Sequence, residues 1–242
     1  MEYDIADVLE IRDLAKFLTV MQEIFEGQIG SQKTFRITAT PTELGEVNAD
    51  LANTALRDLL EDPPGRQGGW NAKPLRPLRR NSLGFENDRP DFHHLKFIKN
   101  GHLEFWTAID DHFSWRQKAA EQKVHPLLYP YAVVEYPVSF LRLYRRLVEL
   151  LGAKSEYVFQ MEYLNVQGAI LRPYQPESIG YDHSIDEIMP LARSRLVFQK
   201  KRFGNDFDPD PAALELIKDL YFEFGYEQNQ IPFFDATGHC KL

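Results

Sequence analysis

The densest group of chemically competent side chains lies in the segment DFHHLKFIKNGHLEFWTAIDDHF, residues 91 to 113. It holds four of the 7 histidines of the chain, together with a run of acids. Imidazole and carboxylate groups are the usual ligands of zinc and of harder divalent cations. The segment therefore raises the question of a metal or catalytic centre.

The same segment is typical of a β-hairpin. Asn100-Gly101 suits a two-residue turn, and both flanks are rich in strand-forming residues. Such a turn predicts that Ile98 lies opposite Leu103 and that one face of the hairpin is apolar. The residues expected on that face are Phe92, Ile98, Leu103, Phe105 and Ile109.

The hairpin argues against a zinc site. Successive strand residues point to opposite faces, so His93 and His94 cannot bind one ion. His102 lies near the turn, away from both. We expect solvated or hydrogen-bonded strand histidines here rather than a metal centre.

The acids of this segment have two interpretations. The spacing of Asp91 and Glu104 faintly resembles the acid pattern of metal-dependent nucleases, but Trp106 stands where that pattern has a lysine. Asp91, Asp110 and Asp111 should nevertheless gather at the open end of the hairpin, where oxygen ligands can bind Mg²⁺ or Ca²⁺. A solvated acidic loop is the alternative.

Composition limits the class of protein. The chain has 242 residues, of which 43% are hydrophobic and 13% aromatic, enough for a packed core. No apolar run approaches the roughly 18 residues of a membrane helix, and the acidic start lacks the features of a secretory signal. The single cysteine, Cys240, excludes an internal disulfide and a cysteine-based metal cluster. We expect a cytoplasmic protein without a membrane contact.

Charge is segregated along the chain, although the formal net charge is −8. Two stretches are basic and could contact phosphates, and Trp70 lies within the first as a possible stacking platform. The first basic stretch contains Arg66, Lys73, Arg76, Arg79 and Arg80. The second basic stretch contains Arg193, Arg195, Lys200, Lys201 and Arg202. The alternative is a solvated surface loop and a strand with solvated basic positions.

Apolar periodicity predicts helices near residues 14 to 25, from about Pro137 to Leu151, and after Asp210-Pro211. A second hairpin is predicted around Asn165 to Gly168. Hairpins with interspersed helices favour an α+β fold with a mainly antiparallel sheet. We predict one domain over residues 1–242, with a possible seam in the Pro/Gly-rich loop 63–78.

The strong signatures of common enzymes are absent. The sequence has no phosphate-binding loop, dinucleotide fingerprint, nucleophile elbow, HExxH or CxxC motif. Catalytic groups brought together from distant strands would leave no such mark. A buried Glu162 with a raised pKa is one such candidate, and an outward-facing strand glutamate is the alternative. We therefore assign no catalytic residue and expect no cofactor.

Three segments resemble a known family. LKFIKNGHLEF, EYVFQMEYLNVQGAIL and GGWN are similar to the region that follows the Schlafen/AlbA-type DNA-binding domain in many prokaryotic proteins. The resemblance covers about residues 30 to 172 and does not include the DNA-binding domain itself. It implies a bacterial cytoplasmic module that works with another N-terminal domain or with a protein partner. It carries over no functional residues.

Three functions follow as hypotheses. The first is a non-catalytic interaction or ligand-sensing module, with defence or regulation as candidate roles. The second is nucleic-acid binding through the basic stretches 66–80 and 193–202. The third is a metal-dependent hydrolase or nuclease with acids at Asp91, Asp110 and Asp111.

Overall fold

A computed structural model describes residues 5–66, 69–87, 93–113, 126–171, 174 and 190–242, without the side chains of residues 5, 6, 111 and 112. The helices are α1 (Ile5–Val8), α2 (Leu14–Ile29), α3 (Thr54–Glu61), α4 (Ile109–His112), α5 (Pro130–Leu151), α6 (Pro209–Glu223) and a 3₁₀ helix (Gln228–Gln230). The strands are β1 (Thr34–Pro41), β2 (Leu78–Arg80), β3 (Gly84–Asn87), β4 (His93–Ile98), β5 (Leu103–Ala108), β6 (Leu127–Leu128), β7 (Tyr157–Leu164), β8 (Ile170–Leu171), β9 (Arg195–Val197) and β10 (Lys201–Phe203).

Eight strands form one antiparallel sheet, which confirms the predicted α+β class. The strand order is β10-β7-β1-β5-β4-β3-β2, and β9 also pairs with β7. β9 and β10 pair with opposite halves of β7 and form one interrupted edge strand. No helix among the described residues is long and apolar enough to cross a membrane.

Helices cover both faces of the sheet. The alternation of β1 shows the division, because Phe35 and Ile37 enter the main core whereas Arg36 points to the other face. The main core lies between the sheet and the helices α3, α5 and α6. On the other face, which we call the α2 face, helix α2 packs through two small apolar clusters.

Helix α5 starts earlier than its periodicity predicts. It begins at Pro130, so the predicted start near Pro137 is wrong by about two turns. Proline suits the first helical position because its missing N–H would have no intrahelical partner there. Pro137 lies inside the helix, where packing against the sheet, α3 and α6 offsets one lost hydrogen bond. Gly152 ends the helix at a φ of 64°.

The first hairpin forms, but its predicted register is wrong by one residue. Phe97 lies opposite Leu103, instead of Ile98. The loop has three residues rather than two, since the amide of Gly101 donates to the carbonyl of Ile98 at 2.8 Å and the Ile98 amide donates to the carbonyl of His102 at 2.8 Å. Only Gly101, at a φ of 90°, takes a left-handed conformation there.

The shift moves Ile98 from the expected apolar face to the α2 face. Leu95 and Phe97 take its place in the main core. The two adjacent histidines do separate as predicted. The ring of His93 contacts Phe105 on the main-core side, with 4.7 Å between centroids. The ring of His94 contacts Trp106 on the α2 face, at 5.3 Å.

The second predicted hairpin is wrong. Strand β7 does not pair with β8, which instead forms a two-stranded parallel sheet with β6. Asn165 turns the chain at a φ of 60°, and its side-chain amide donates to the carbonyls of Gly30 and Gln32 at 3.1 and 2.8 Å. These contacts direct the chain away from β7. The predicted polar helix SIDEIMPLA falls largely outside the described residues.

A close approach of two strands gives a first prediction. A Cβ at Gly84 would lie 1.8 Å from the carbonyl oxygen of Phe97, so Gly84→Ala must push β3 away from β4. We expect a loss of about 2–3 kcal/mol in the free energy of unfolding, measured by urea denaturation. Gly27→Ala is the matched control, because nothing lies within 4 Å of its Cβ position in α2. That control should gain up to about 1 kcal/mol. Equal stability of the two variants would contradict the strand approach.

Candidate functional site

The two basic stretches lie at opposite edges of the sheet. The first runs through an exposed loop into β2, and the second forms the interrupted edge strand β9 and β10. Six strand spacings of about 4.8 Å separate β2 from β10, or roughly 30 Å. The two stretches therefore do not form one continuous basic surface across the sheet.

Acids neutralise most of the second basic stretch. Arg193 pairs with Glu223 at 3.3 Å, Arg195 with Glu26 at 2.7 Å and Lys201 with Asp219 at 3.0 Å. In the first stretch, Arg66 pairs with Glu135 at 2.7 Å and Lys73 with Asp62 at 2.5 Å. The guanidinium of Arg80 donates to the carbonyl of Leu51 at 3.4 Å. Arg76, Arg79, Arg80, Lys200 and Arg202 are all exposed.

The acidic candidates are only partly covered by the structure. Asp91 lies outside the described residues, as does the side chain of Asp111. Asp110 is paired with Lys33 at 3.1 Å. Within the described ranges, no three His, Cys, Asp or Glu side chains are grouped so that they could bind a metal ion.

Five partly exposed aromatic rings meet at the N-terminal end of α5, and we call them the aromatic surface. They are Trp70, Tyr129, Tyr131, Tyr174 and Phe233. Tyr131 is central, with ring centroids 6.2 Å from Trp70, 5.5 Å from Tyr129 and 4.4 Å from Phe233. Tyr174 contacts Phe233 at 4.5 Å. Four separate chain segments thus supply rings to one surface.

A buried acid holds the loop that carries Trp70. The carboxylate of Glu135, in the second turn of α5, is only 5% exposed. It accepts the backbone amide of Trp70 at 2.7 Å and pairs with Arg66 at 2.7 Å. A Cβ at Gly69 would lie 2.9 Å from this carboxylate, so glycine permits the approach. The guanidinium of Arg66 in turn lies 5.9 Å from the centroid of Tyr131.

The backbone of Phe233 is strained. Its φ is 71°, a left-handed conformation that a bulky L-residue rarely adopts. Strain of this kind costs of order 1–3 kcal/mol and is found preferentially at binding sites and clamps. Here it places the Phe233 ring between Tyr131 and Tyr174.

This strain gives a second prediction. Phe233→Ala and Phe233→Gly both remove the ring, but only glycine removes the conformational cost. We expect the glycine variant to be about 1 kcal/mol more stable than the alanine variant in urea denaturation. If the alanine variant were equally stable, Phe233 would not occupy a left-handed conformation.

The polar groups of this surface and beside it are bonded within the protein. The hydroxyl groups of Tyr131 and Tyr174 are 3.4 Å apart, and this hydrogen bond together with burial raises the pKa of Tyr131 to about 12. The phenol therefore stays protonated at neutral pH. The hydroxyl of Ser139, one turn beyond Glu135, donates to the carbonyl of Pro64 at 3.3 Å, and no basic side chain of the described residues bonds to it. What remains available is flat aromatic area beside a guanidinium.

A second cluster of charge lies under α2, and we call it the buried charge network: Arg36, Glu104, Glu162 and Gln22. Arg36 donates to Glu104 at 2.8 Å and to Glu162 at 2.7 Å, and all three are at most 3% exposed. Gln22 of α2 bonds to Glu162 at 3.1 Å and to Arg36. Of the two interpretations of Glu162, the outward-facing one is therefore wrong.

The buried charge network has one cation for two acids, and further cations lie beside it, such as Arg195 at 3.7 Å from Glu162. Burial acts to raise the pKa of Glu104, but the charges of Arg36 and Lys96 outweigh it and hold that pKa below its usual value. The carboxylate thus stays ionised as a permanent partner of Arg36. Gln22 joins the network to α2, and a carboxylate fixed as Glu104 is has no proton to exchange near neutral pH.

Of the five rings of the aromatic surface, only Trp70 is predicted from the sequence to contact a ligand. The YPY motif of residues 129 to 131, just before a helical pattern, was an available signal for two of the other rings.

The resemblance to the region that follows Schlafen/AlbA-type domains stays a prediction. No protein-family model, curated protein or solved structure matches the chain.

Proposed function

We propose that the chain is a non-catalytic ligand-sensing or interaction module and that its ligand binds to the aromatic surface. The observation that carries this proposal is the convergence of five partly exposed rings from four chain segments. Water-exposed aromatic area is unfavourable for an isolated chain, and contiguous patches of it are typical of binding sites. The proposal takes up the first of the three sequence hypotheses.

Two further features support a binding role. The buried Glu135 bonds to the Trp70 amide and to Arg66 and so fixes the loop that carries Trp70. A binding site that needs a rigid ring is expected to have such support. The strained Phe233 is also consistent with a site whose geometry is maintained against a local cost. A flat ligand that stacks on Trp70 and Tyr131 would benefit from the fixed positions of both Trp70 and Phe233.

Uncharged planar compounds test the proposal directly. Adenosine and uridine can be titrated into the protein while the indole N–H signals of Trp70 and Trp106 are followed by NMR. We expect the Trp70 signal to shift and the signal of Trp106, which is 0% exposed, to stay unchanged. Tyr131→Ala should abolish the shift. If neither compound shifts Trp70 at millimolar concentration, the aromatic surface is not a site for planar ligands.

The other two hypotheses receive less support. Nucleic-acid binding through both basic stretches would need them on one surface, and they lie at opposite sheet edges. The acidic site has one described member, Asp110, and Lys33 neutralises it. A bacterial cytoplasmic setting, an additional N-terminal domain and a protein partner stay predictions from sequence.

A further inference from the structure

The first basic stretch is continuous with the aromatic surface. Arg66 lies over Tyr131, Trp70 follows four residues later, and the same segment continues through Lys73 and Arg76 into strand β2. Residues 66 to 80 contain five cations and no acid. All five cations are exposed. A ligand that stacks on Trp70 would therefore have cations of the same segment on either side of that residue along the chain.

Lys73, Arg76 and Arg80 can turn to a ligand at little cost, whereas Arg66 is paired with the buried Glu135. The pair between Lys73 and Asp62 is 51% and 81% exposed, and such surface pairs contribute little to stability. Within the described part of the chain, Arg76 forms no ion pair, and Arg80 makes only a long hydrogen bond to a carbonyl. In the second basic stretch, acids on α2 and α6 pair with three of the five cations, compared with two of five in the first.

We propose that the ligand is a single-stranded nucleic acid, whose bases stack on Trp70 and Tyr131 and whose phosphates follow Arg66, Lys73, Arg76 and Arg80. This inference rests on the proposed function, since it needs the aromatic surface to be the binding site. Aromatic rings beside a basic groove are the recurring means of binding single strands without sequence preference. A duplex does not fit, because its base faces are already stacked on one another. A free nucleoside would leave most of the cations unused.

Fluorescence anisotropy with a short fluorescein-labelled oligothymidylate tests this inference. We expect binding at low salt, and affinity should fall with a log–log slope of about −3 if four or five cations contact phosphates. A duplex of the same length should bind at least about tenfold more weakly. Trp70→Ala should weaken binding about tenfold or more, since one base stack contributes that much.

Charge reversal locates the phosphate path. The double variant Arg76→Glu with Arg80→Glu should weaken binding about tenfold and flatten the salt dependence. Its matched control is Lys200→Glu with Arg202→Glu, which reverses two exposed cations at the opposite sheet edge and should change affinity less than twofold. Thermal melts of all variants verify that each one is folded.

The possible results separate the two proposals. If the oligonucleotide does not bind while adenosine still shifts the Trp70 signal, the nucleic-acid inference is wrong and the proposed function stands. If the oligonucleotide does not bind and adenosine does not shift the Trp70 signal, both are wrong. Equal weakening by the two double variants would mean a diffuse charge effect and would overturn the assigned path. Unchanged affinity in Trp70→Ala would overturn base stacking.

Discussion

Arg36→Met is expected to lower the free energy of unfolding by about 3–5 kcal/mol. Arg36 lies on β1, between its neighbours β5 and β7, and is 3% exposed. Its guanidinium is the shared partner of Glu104 and Glu162. Without it, two carboxylates remain buried under α2 with no compensating charge at hydrogen-bond distance from both. The loss of a buried partner is far more costly than the net value of the pair itself.

Urea denaturation monitored by circular dichroism measures this loss. Two further variants show which interaction causes it. A triple variant that adds Glu104→Gln and Glu162→Gln to Arg36→Met removes the stranded charges and should recover at least half of the lost stability. Lys33→Met removes an ion pair with 26% and 45% exposed side chains and should cost less than about 1 kcal/mol. If Arg36→Met cost no more than Lys33→Met, the buried charge network would not anchor the sheet.

The sequence predicts the fold class because strands and helices follow local periodicity, but it does not predict what covers each face. Phe35, Ile37 and Ala39 alternate with Arg36 and Thr38, a pattern typical of a strand with one solvated face. In the structure, α2 lies over the polar face as well. Burial of the polar face depends on a helix distant in sequence from β5 and β7, so no local pattern signals it.

The errors in pairing have an equally physical origin. An Asn-Gly pair suits two-residue turns, but it also suits a three-residue loop in which only glycine is left-handed. The choice here depends on contacts outside the hairpin, since the Gly101 backbone packs against Pro41 and Val47. Strand β8 pairs with β6 instead of β7 because the turn at Asn165 is tied to residues 30 and 32.

The candidate site is assembled by tertiary structure. Its rings are separated by up to 163 residues along the chain, from Trp70 to Phe233, and only Trp70 lies in a segment rich in cations. The basic stretches were predictable as segments because charge is a local property. The two stretches are separated because the strand order puts β2 and β10 at opposite edges of the sheet. No local pattern in the sequence predicts that order. The sequence alone therefore identifies the two basic stretches but does not predict the aromatic surface.

The fold should lose stability steeply in mild acid because of histidines on the α2 face. His102 is 0% exposed and accepts or donates one hydrogen bond, to Thr40 at 2.8 Å, while its Nε2 has no partner among the described residues. Burial lowers the pKa of His102 to about 3, and burial lowers the pKa of His94 as well. In the folded state, both imidazoles are therefore neutral at pH values where an exposed histidine is charged.

The sign of the effect follows from proton uptake. The unfolded chain protonates His102 below about pH 6.5, whereas the folded chain does not until about pH 3, so falling pH favours unfolding over this window. One such group contributes up to about 1.4 kcal/mol per pH unit, or about 2 kcal/mol between pH 6.5 and 5. His94 acts in the same direction. Unfolding free energies from urea curves at pH 7, 6 and 5 measure the slope before most carboxylates titrate.

His102→Gln isolates the contribution of His102, because glutamine can still bond to Thr40 but takes up no proton. The variant is expected to be less stable than the native chain at pH 7, and its stability should fall less between pH 6.5 and 5. His239→Gln, at a side chain that is 55% exposed, is the matched control for the loss of an imidazole outside the α2 face. If His102→Gln retained the full slope, His102 would have to gain its proton in the folded state as readily as in the unfolded chain. The imidazole would then not be closed off from water between α2 and the sheet.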